Sequence, residues 1–415
     1  VLTTLMDHGI FIPSGCGGKG TCAYCKCAIE RGGGQLLPAE IGLLTRKERM
    51  EGVRLTCQVK VKEDLKIRIP PEYLQIRQIT VPVVSNRNVA TFIKELVLEL
   101  PECSDGLAYA PGQYVQIHMP PFEIPFTRFD VEEEYRDAWD RYAFWKLRAV
   151  NDDPALMRAY SLASYPAEGR ALRLNVRIAT PPAKPPNAPP GLGSSYLFAL
   201  KPGQQATISG PYGDFLIKDT DREMLYLGGG AGMAPMRSHL MHLFHTQKTA
   251  RKVTFWYGAR SVRELFYVDD FRAIEAAFPN FMFVVALSDK QSGDQWDGPE
   301  GFIHNVAYEK YLKTHPDPAQ IEYYMCGPPV MIEAAERLLA ELRVPSSERS
   351  PRWFRQPAGI IPGSYTRPLP GWSGVNRDCR PCRSDVSHDP VYSPSRLTAR
   401  ACPVLTPDPC PVGAV

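Results

Sequence analysis

Cys16, Cys22 and Cys25 stand in the run Cys-Gly-Gly-Lys-Gly-Thr-Cys-Ala-Tyr-Cys, and Cys57 follows in Leu55-Thr56-Cys57-Gln58. Three clustered thiols and a distant fourth form the ligand pattern of a plant-type [2Fe–2S] cluster, whose usual spacing is C-x4-C-x2-C. Here the first gap is five residues, one longer than that pattern. Gly17, Gly18 and Gly20 let the loop wrap closely and turn backbone N–H groups toward cluster sulfurs. Such hydrogen bonds favour the extra negative charge of the reduced state. A structural zinc site would use two C-x2-C pairs, which this three-plus-one arrangement does not offer. Cys27, two residues after Cys25 and on the same face of a strand, reads as a small buried apolar residue.

A second set of residues has the chemistry of a flavin site. In Arg158-Ala159-Tyr160-Ser161 the guanidinium can clamp a pyrophosphate, the phenol ring can stack on a flat ring, and the hydroxyl can bond a ring nitrogen. Gly191-Leu192-Gly193-Ser194-Ser195 then precedes a helical stretch and offers backbone N–H groups to a phosphate. Either motif alone would pass for an ordinary barrel turn; together they point to FAD.

A third set suits a nicotinamide dinucleotide. Gly228-Gly229-Gly230-Ala231-Gly232-Met233-Ala234-Pro235 follows an apolar strand and opens a helix. It departs from the strict G-x-G-x-x-G but brings the backbone equally close to a pyrophosphate. Tyr323-Tyr324-Met325-Cys326-Gly327-Pro328-Pro329 ends another strand, at the carboxyl edge where such sheets bind ligands. Cys326 is given a positioning role there; a lone cysteine in a loop is more often inert than nucleophilic. No basic cluster follows Ala286-Leu287-Ser288, and Asp289 would repel a 2′-phosphate, so NADH is expected over NADPH. Arg260 and Arg263 are the basic residues that argue the other way.

The elements that must position these residues fall into regimes. At 415 residues the chain is long enough for about three domains. Its 44% hydrophobic and 22% charged residues are ordinary for a globular protein, and a net charge of +3 gives no reason to expect a nucleic-acid partner. Its longest apolar run, Phe281 to Leu287, is far short of the ~20 residues that span a bilayer. Residues 1–73 hold the cysteine loop and end in the alternating stretches Val59 to Lys62 and Leu65 to Ile69, read as strand. Residues 76–219 carry short strands between glycines and prolines, the pattern of an antiparallel barrel. Residues 222–345 alternate apolar strands with helices, the pattern of a parallel α/β unit. Residues 346–415 are rich in Pro, Arg, Ser and Gly without apolar periodicity and are expected to be disordered. Cys379-x-x-Cys382 in that tail has no matching second pair for a zinc site.

The order of cluster loop, R-x-Y-S, G-x-x-S, glycine loop and Cys-Gly-Pro-Pro resembles the ferredoxin–NADP+ reductase superfamily with a fused plant-type ferredoxin domain. Ser14 to Gly18, Glu30 to Gly34, Leu174 to Pro182 and Gly301 to Val306, with the aromatic and acidic insertion Phe126 to Trp145, narrow the likeness. They are similar to the F subunits of Na+-translocating NADH:quinone oxidoreductases. The resemblance implies a β-grasp ferredoxin domain, a Greek-key FAD barrel and a Rossmann-like NADH domain. It implies FAD, a [2Fe–2S] centre and NADH as substrate, with electrons passing to partner membrane subunits and finally to quinone, at the cytoplasmic face of a bacterial inner membrane.

Carried residue by residue, the resemblance gives Cys16, Cys22, Cys25 and Cys57 as cluster ligands. Arg158, Tyr160, Ser161, Asn175, Arg177, Gly191, Ser194 and Ser195 fall at flavin positions. Gly228, Gly229, Gly230, Gly232, Met233, Pro235, Cys326, Gly327 and Pro328 fall at the nicotinamide site, and Ser161 and Cys326 flank the reacting rings. The chain departs from the family at both ends. It opens at Val1 inside a domain, so a membrane helix and a ferredoxin hairpin are expected upstream. It also lacks the family's closing Asp-Asp-Phe-Gly-Gly, and a frameshift near Val344 to Glu348 is expected to have produced the tail. The competing functions are a reductase feeding a phenol- or methane-type oxygenase and a non-catalytic electron carrier.

Overall fold

A computed structural model describes residues 1–102, 107–181 and 188–353. The cysteine-bearing region forms a small sheet in which β1 (Lys26–Arg31) lies antiparallel between β2 (Val53–Leu55) and β3 (Lys66–Arg68). Alternation along β1 turns Cys27 and Ile29 inward. Cys27 packs with Leu2, Ile12, Cys25, Leu44 and Leu55. This core is small, and a buried ion pair supplements it. Arg54 meets Glu40 at 2.7 Å with both side chains almost fully enclosed. Arg54 also donates to the carbonyls of Gly33, Gly34 and Gln35, and Glu40 accepts the N–H of Leu55. One charge pair thus ties the glycine-rich turn after β1 to β2. The expected strand over Val59–Lys62 does not form; of the two alternating stretches, Leu65–Ile69 alone contributes a strand, Lys66–Arg68, paired with β1. Lys60, Val61 and Lys62 are exposed with no neighbouring strand, so their alternation has no sheet to join.

The middle region is an antiparallel barrel. Its strands β4 (Arg77–Ala90), β5 (Ile93–Glu99), β6 (Tyr114–Met119), β9 (Leu156–Ser161), β10 (Ala171–Arg177) and β11 (Gln205–Tyr212) run in the order β10-β5-β4-β11-β6-β9. A bridge between Leu162 and Leu174 joins the two ends of that order and closes the barrel. Leu96, Val115, Ile117, Leu172, Leu174 and Ile208 fill it. A hairpin of β7 (Phe122–Pro125) and β8 (Arg148–Asn151) brackets the insertion read from the sequence. There Phe126, Phe129 and Trp139 pack with Phe92 and Phe198, so the insertion extends the barrel core.

The last unit is a parallel sheet of β12 (Met224–Gly229), β13 (Val253–Ala259), β14 (Phe281–Leu287), β15 (Glu322–Gly327) and β16 (Arg349–Trp353), in the order β14-β13-β12-β15-β16. β12 to β15 are apolar runs buried by helices on both faces, as parallel sheets require. β16 corrects the expected domain end. The sheet continues to Trp353, beyond the 345 boundary and into the stretch expected to be disordered. Pro351 and the flanking charges hide it from strand patterning, and an edge strand is where such residues are tolerated. The rest of the expected tail, with Cys379, Cys382, Cys402 and Cys410, lies outside the described residues.

Burial on its own would raise the Glu40 carboxyl, but Arg54 and the N–H groups of Leu37 and Leu55 outweigh it and hold the group below the usual carboxylate range. Glu40→Ala strands a buried guanidinium and should destabilise the cluster domain by about 3–5 kcal/mol, read as faster amide exchange in β1 and β2. In the native chain the contribution is complete above the unfolded Glu value of about 4.3 and is lost as pH falls through the lower folded value.

Candidate active site

The cluster loop bends where the glycines allow it. Gly17, Gly18 and Gly20 hold φ values of +63°, +84° and +71°, a region L side chains rarely adopt. Ser14 Oγ accepts the Gly18 N–H at 3.0 Å, and Gln58 Nε2 lies 3.3 Å from the Gly18 carbonyl and 3.4 Å from Cys57 Sγ. The four thiols come together in two pairs. The hydrogen bond from Cys22 holds the Cys16 thiol down at about 4, and that from Cys25 holds Cys57 at about 7. The same bonds, with burial, push Cys22 and Cys25 up. Among the described residues no three His, Cys, Asp or Glu form a centre for a single metal ion. Two pairs of thiols fit a two-iron cluster, two thiolates to each iron. Cys27 lies in the domain core, where burial raises its thiol to about 11.

The flavin residues sit on β9 and at the start of the helix Leu192–Ala199. The two motifs meet: a Cβ added at Gly193 would lie 2.7 Å from Arg158 Cγ and 2.9 Å from the Tyr160 hydroxyl. The guanidinium of Arg158 donates to the Met157 carbonyl at 2.6 Å and is lowered by burial. Burial likewise raises the Tyr160 phenol. Ser161 Oγ and Thr180 Oγ1 are buried without a hydrogen-bond partner in the protein. A buried, unsatisfied hydroxyl is costly unless something else completes it, and FAD suits Ser161. The hydroxyls of Ser194 and Ser195 instead bond the Gly191 carbonyl at 3.0 and 2.8 Å, and Ser194 also accepts the Ala179 N–H. They shape the turn that presents the helix N-terminus. Asn175 Nδ2 donates to the Tyr267 hydroxyl at 2.9 Å while its Oδ1 is unpartnered. Arg177, half-buried, ends β10 opposite Ile93.

The nicotinamide motifs also converge. The Gly228–Pro235 segment leaves β12, turns through Gly230 at φ +56° and enters the helix Met233–Met241. A Cβ on Gly232 would lie 2.2 Å from the Cys326 carbonyl oxygen and 2.6 Å from the Gly327 nitrogen. A Cβ on Gly327 would lie 2.4 Å from Met331 Cε and 3.2 Å from the Gly229 carbonyl oxygen. The backbone of one loop therefore lies directly on the other, at the carboxyl end of adjacent parallel strands. Met233 is fully buried and Pro235 is buried within the helix, so both act from the core side. Pro328 precedes the helix Pro329–Glu341, and Cys326 is fully enclosed at the end of β15.

Three family models cover the chain: the 2Fe-2S iron-sulfur cluster binding domain over 1–62, the oxidoreductase FAD-binding domain over 140–217 and the oxidoreductase NAD-binding domain over 226–337. The F subunit of the Na(+)-translocating NADH-quinone reductase of Neisseria meningitidis serogroup C (strain FAM18) is 51% identical over 344 residues, 83% of this chain and 84% of that protein. Its counterpart in Methylococcus capsulatus (strain Bath) matches at 51% over 345 residues, with the same shares of both chains. The chain belongs to the family of F subunits of Na(+)-translocating NADH-quinone reductases. Its fold is shared more widely. The structure of the Amycolatopsis cytochrome P450 reductase GcoB aligns with TM-score 0.59 at 24% identity over 84% of this chain and 92% of that one. A ferredoxin reductase of carbazole 1,9a-dioxygenase aligns with TM-score 0.56 at 24% identity over 84% and 91%.

Within this member of the family, the residues joining the flavin and nicotinamide domains carried no motif. Arg237 pairs with Glu168 at 2.7 Å and Asp270 at 3.2 Å, and its guanidinium lies 5.0 Å from the Tyr267 ring centroid. Tyr267 reaches back to Glu95 and Asn175 on the barrel. One signal was available: Arg237 is the lone Arg or Lys in a helix otherwise made of apolar and small polar residues and one His. Arg260 and Arg263, the two residues that favoured NADPH, are committed to Asp289 and Asp137, each at 2.6 Å. Arg263 thereby ties the family's insertion to the dinucleotide domain. Gly232→Ala should raise KM for NADH by about tenfold or more, because backbone cannot yield to the added carbon. FAD content and the cluster spectrum should stay unchanged. An unaltered KM would remove Gly232 from the nicotinamide site.

Proposed function

We propose that the chain is the electron-input subunit of a Na+-translocating NADH:quinone reductase, taking two electrons from NADH and passing them singly to partner membrane subunits. Bound FAD and a [2Fe–2S] cluster supply the conversion of one hydride into two single-electron transfers. The chain's residues bind, orient and shield. Cys16, Cys22, Cys25 and Cys57 hold the cluster. Arg158 and the N-terminus of the helix Leu192–Ala199 neutralise the FAD pyrophosphate. Tyr160 would offer its ring to the flavin, and the unpartnered Ser161 hydroxyl would complete its hydrogen bonding there. The Gly228–Gly232 turn and Cys326-Gly327-Pro328 would hold NADH for hydride transfer to it.

The observation that carries this reading is the meeting of cluster loop and flavin motifs on one barrel strand, Gly17 against Arg158 and Gly193 against Arg158 and Tyr160, with the domain that holds the Gly232–Cys326 contact tied to the same barrel through Arg237–Glu168 and Tyr267–Glu95. Identity of about half to F subunits, against 24% to the oxygenase-type reductases, favours a membrane complex as the acceptor. Residues 1–73, 76–219 and 222–353 are proposed as the three working domains. Assembly with the other subunits of the complex, at the cytoplasmic face, extends the same reading.

The test is an anaerobic NADH titration of the FAD- and cluster-loaded chain, followed by flavin absorbance and cluster EPR. Both centres should be reduced, with NADH preferred over NADPH by roughly a hundredfold in kcat/KM. Flavin reduction without any cluster reduction contradicts the proposal. Ser161→Ala should retain FAD while slowing flavin reduction by about tenfold or more; an unchanged rate removes Ser161 from the reacting geometry.

A further inference from the structure

The cluster domain meets the barrel over one small patch, on the strand beside the flavin residues. The backbone N–H of Ser14 donates to Gln116 Oε1, and both residues are fully buried. Ser14 also accepts the Gly18 N–H, so one residue fixes both the shape of the cluster loop and its contact with the barrel. Tyr24, which lies between Cys22 and Cys25, packs on Tyr114 with ring centroids 5.8 Å apart, and Tyr114 packs on Tyr212 at 5.5 Å. Phe11 meets His118 edge-on at 5.9 Å, and the Tyr212 hydroxyl donates to the Phe11 carbonyl at 3.4 Å.

Tyr114, Gln116 and His118 alternate along β6 and therefore share one face of it. Across the antiparallel ladder Tyr114 lies opposite Ser161 and Gln116 opposite Ala159. The docking residues are thus one strand away from the R-x-Y-S motif. A Cβ at Gly17 would lie 2.0 Å from Arg158 Nη1 and 2.7 Å from the Met157 carbonyl, so the cluster loop touches the flavin strand itself. The connection between the domains is held at both ends: Tyr73 packs with the cluster-domain core and Ile76 joins the Tyr114–Tyr212 patch.

We infer that Gln116 and Tyr114 are positioning residues for the flavin-to-cluster step, holding the cluster loop of each chain against its own flavin strand. The inference rests on the function proposed above. In that step one electron leaves reduced FAD and enters the oxidised cluster, and no covalent bond is made or broken. Separation and packing are what the protein can control, and these two side chains set both at the interface.

The full chain, loaded with FAD and cluster, tests this with Gln116→Leu and Tyr114→Leu. Amide exchange over residues 14–24 should rise by about tenfold or more in each, with exchange in β9 unchanged. In stopped-flow mixing with NADH, flavin bleaching should stay within about twofold of the wild type while cluster bleaching slows about tenfold or more. Tyr114→Phe keeps the ring contact and should behave as wild type in both measurements. Wild-type exchange and wild-type cluster bleaching in both leucine variants would overturn the inference. So would an equal slowing of flavin and cluster phases, which marks a merely structural role. A wild-type chain whose flavin NADH cannot bleach overturns the proposed function instead, and the exchange measurement still decides the docking.

Discussion

The side chain of Arg158 fills the space beneath the Gly17 backbone, and a single added carbon there would collide with it. That contact constrains the rest of the molecule. It requires glycine at a left-handed turn in the cluster loop, a long cation on β9, and a barrel edge that accepts a second domain. Because Arg158 Cγ also lies against Gly193, the aliphatic stem of the same side chain meets the glycine turn that opens the helix Leu192–Ala199. Cluster loop and flavin turn are therefore built around one residue.

The dinucleotide domain is joined by different means. Its own site depends on the backbone-to-backbone approach of Gly232 to Cys326, which only a residue without a Cβ permits. Its attachment to the barrel includes a largely enclosed ion pair, Arg237 with Glu168, in which Asp270 of its own domain also engages Arg237, with Tyr267 reaching Glu95. Partly buried, mutually paired charges of this kind fix orientation more than they add stability. Aromatic packing and the hydrogen bond from the Ser14 N–H to Gln116 dock the cluster domain, while the dinucleotide domain adds enclosed charge to the apolar packing of Ile93 and Phe215.

Much of this was legible in the sequence because it is local. Cys16, Cys22 and Cys25 with their glycines, the R-x-Y-S strand, the Gly228–Gly232 turn and Cys326-Gly327 each need particular residue types at fixed short spacing. The strand at β16 was not legible, since Pro351 and charged neighbours carry no strand pattern and only pairing with β15 makes them one. The Val59–Lys62 alternation misled for the converse reason: a period of two without a partner is not a strand. Gln116 and Tyr267 were not legible as site residues because their partners lie far along the chain, and Arg237 showed only as the lone Arg of its helix. The Ser14–Gln116 bond spans 102 positions.

Hydride acceptance and single-electron delivery are proposed to occur between docked domains of one chain. Single-turnover reduction by NADH, followed at the cluster over a wide range of protein concentration, tests it most directly. A first-order rate of cluster bleaching that does not change with concentration is the predicted result. A rate that rises in proportion to concentration would mean that electrons pass between chains, and would contradict it.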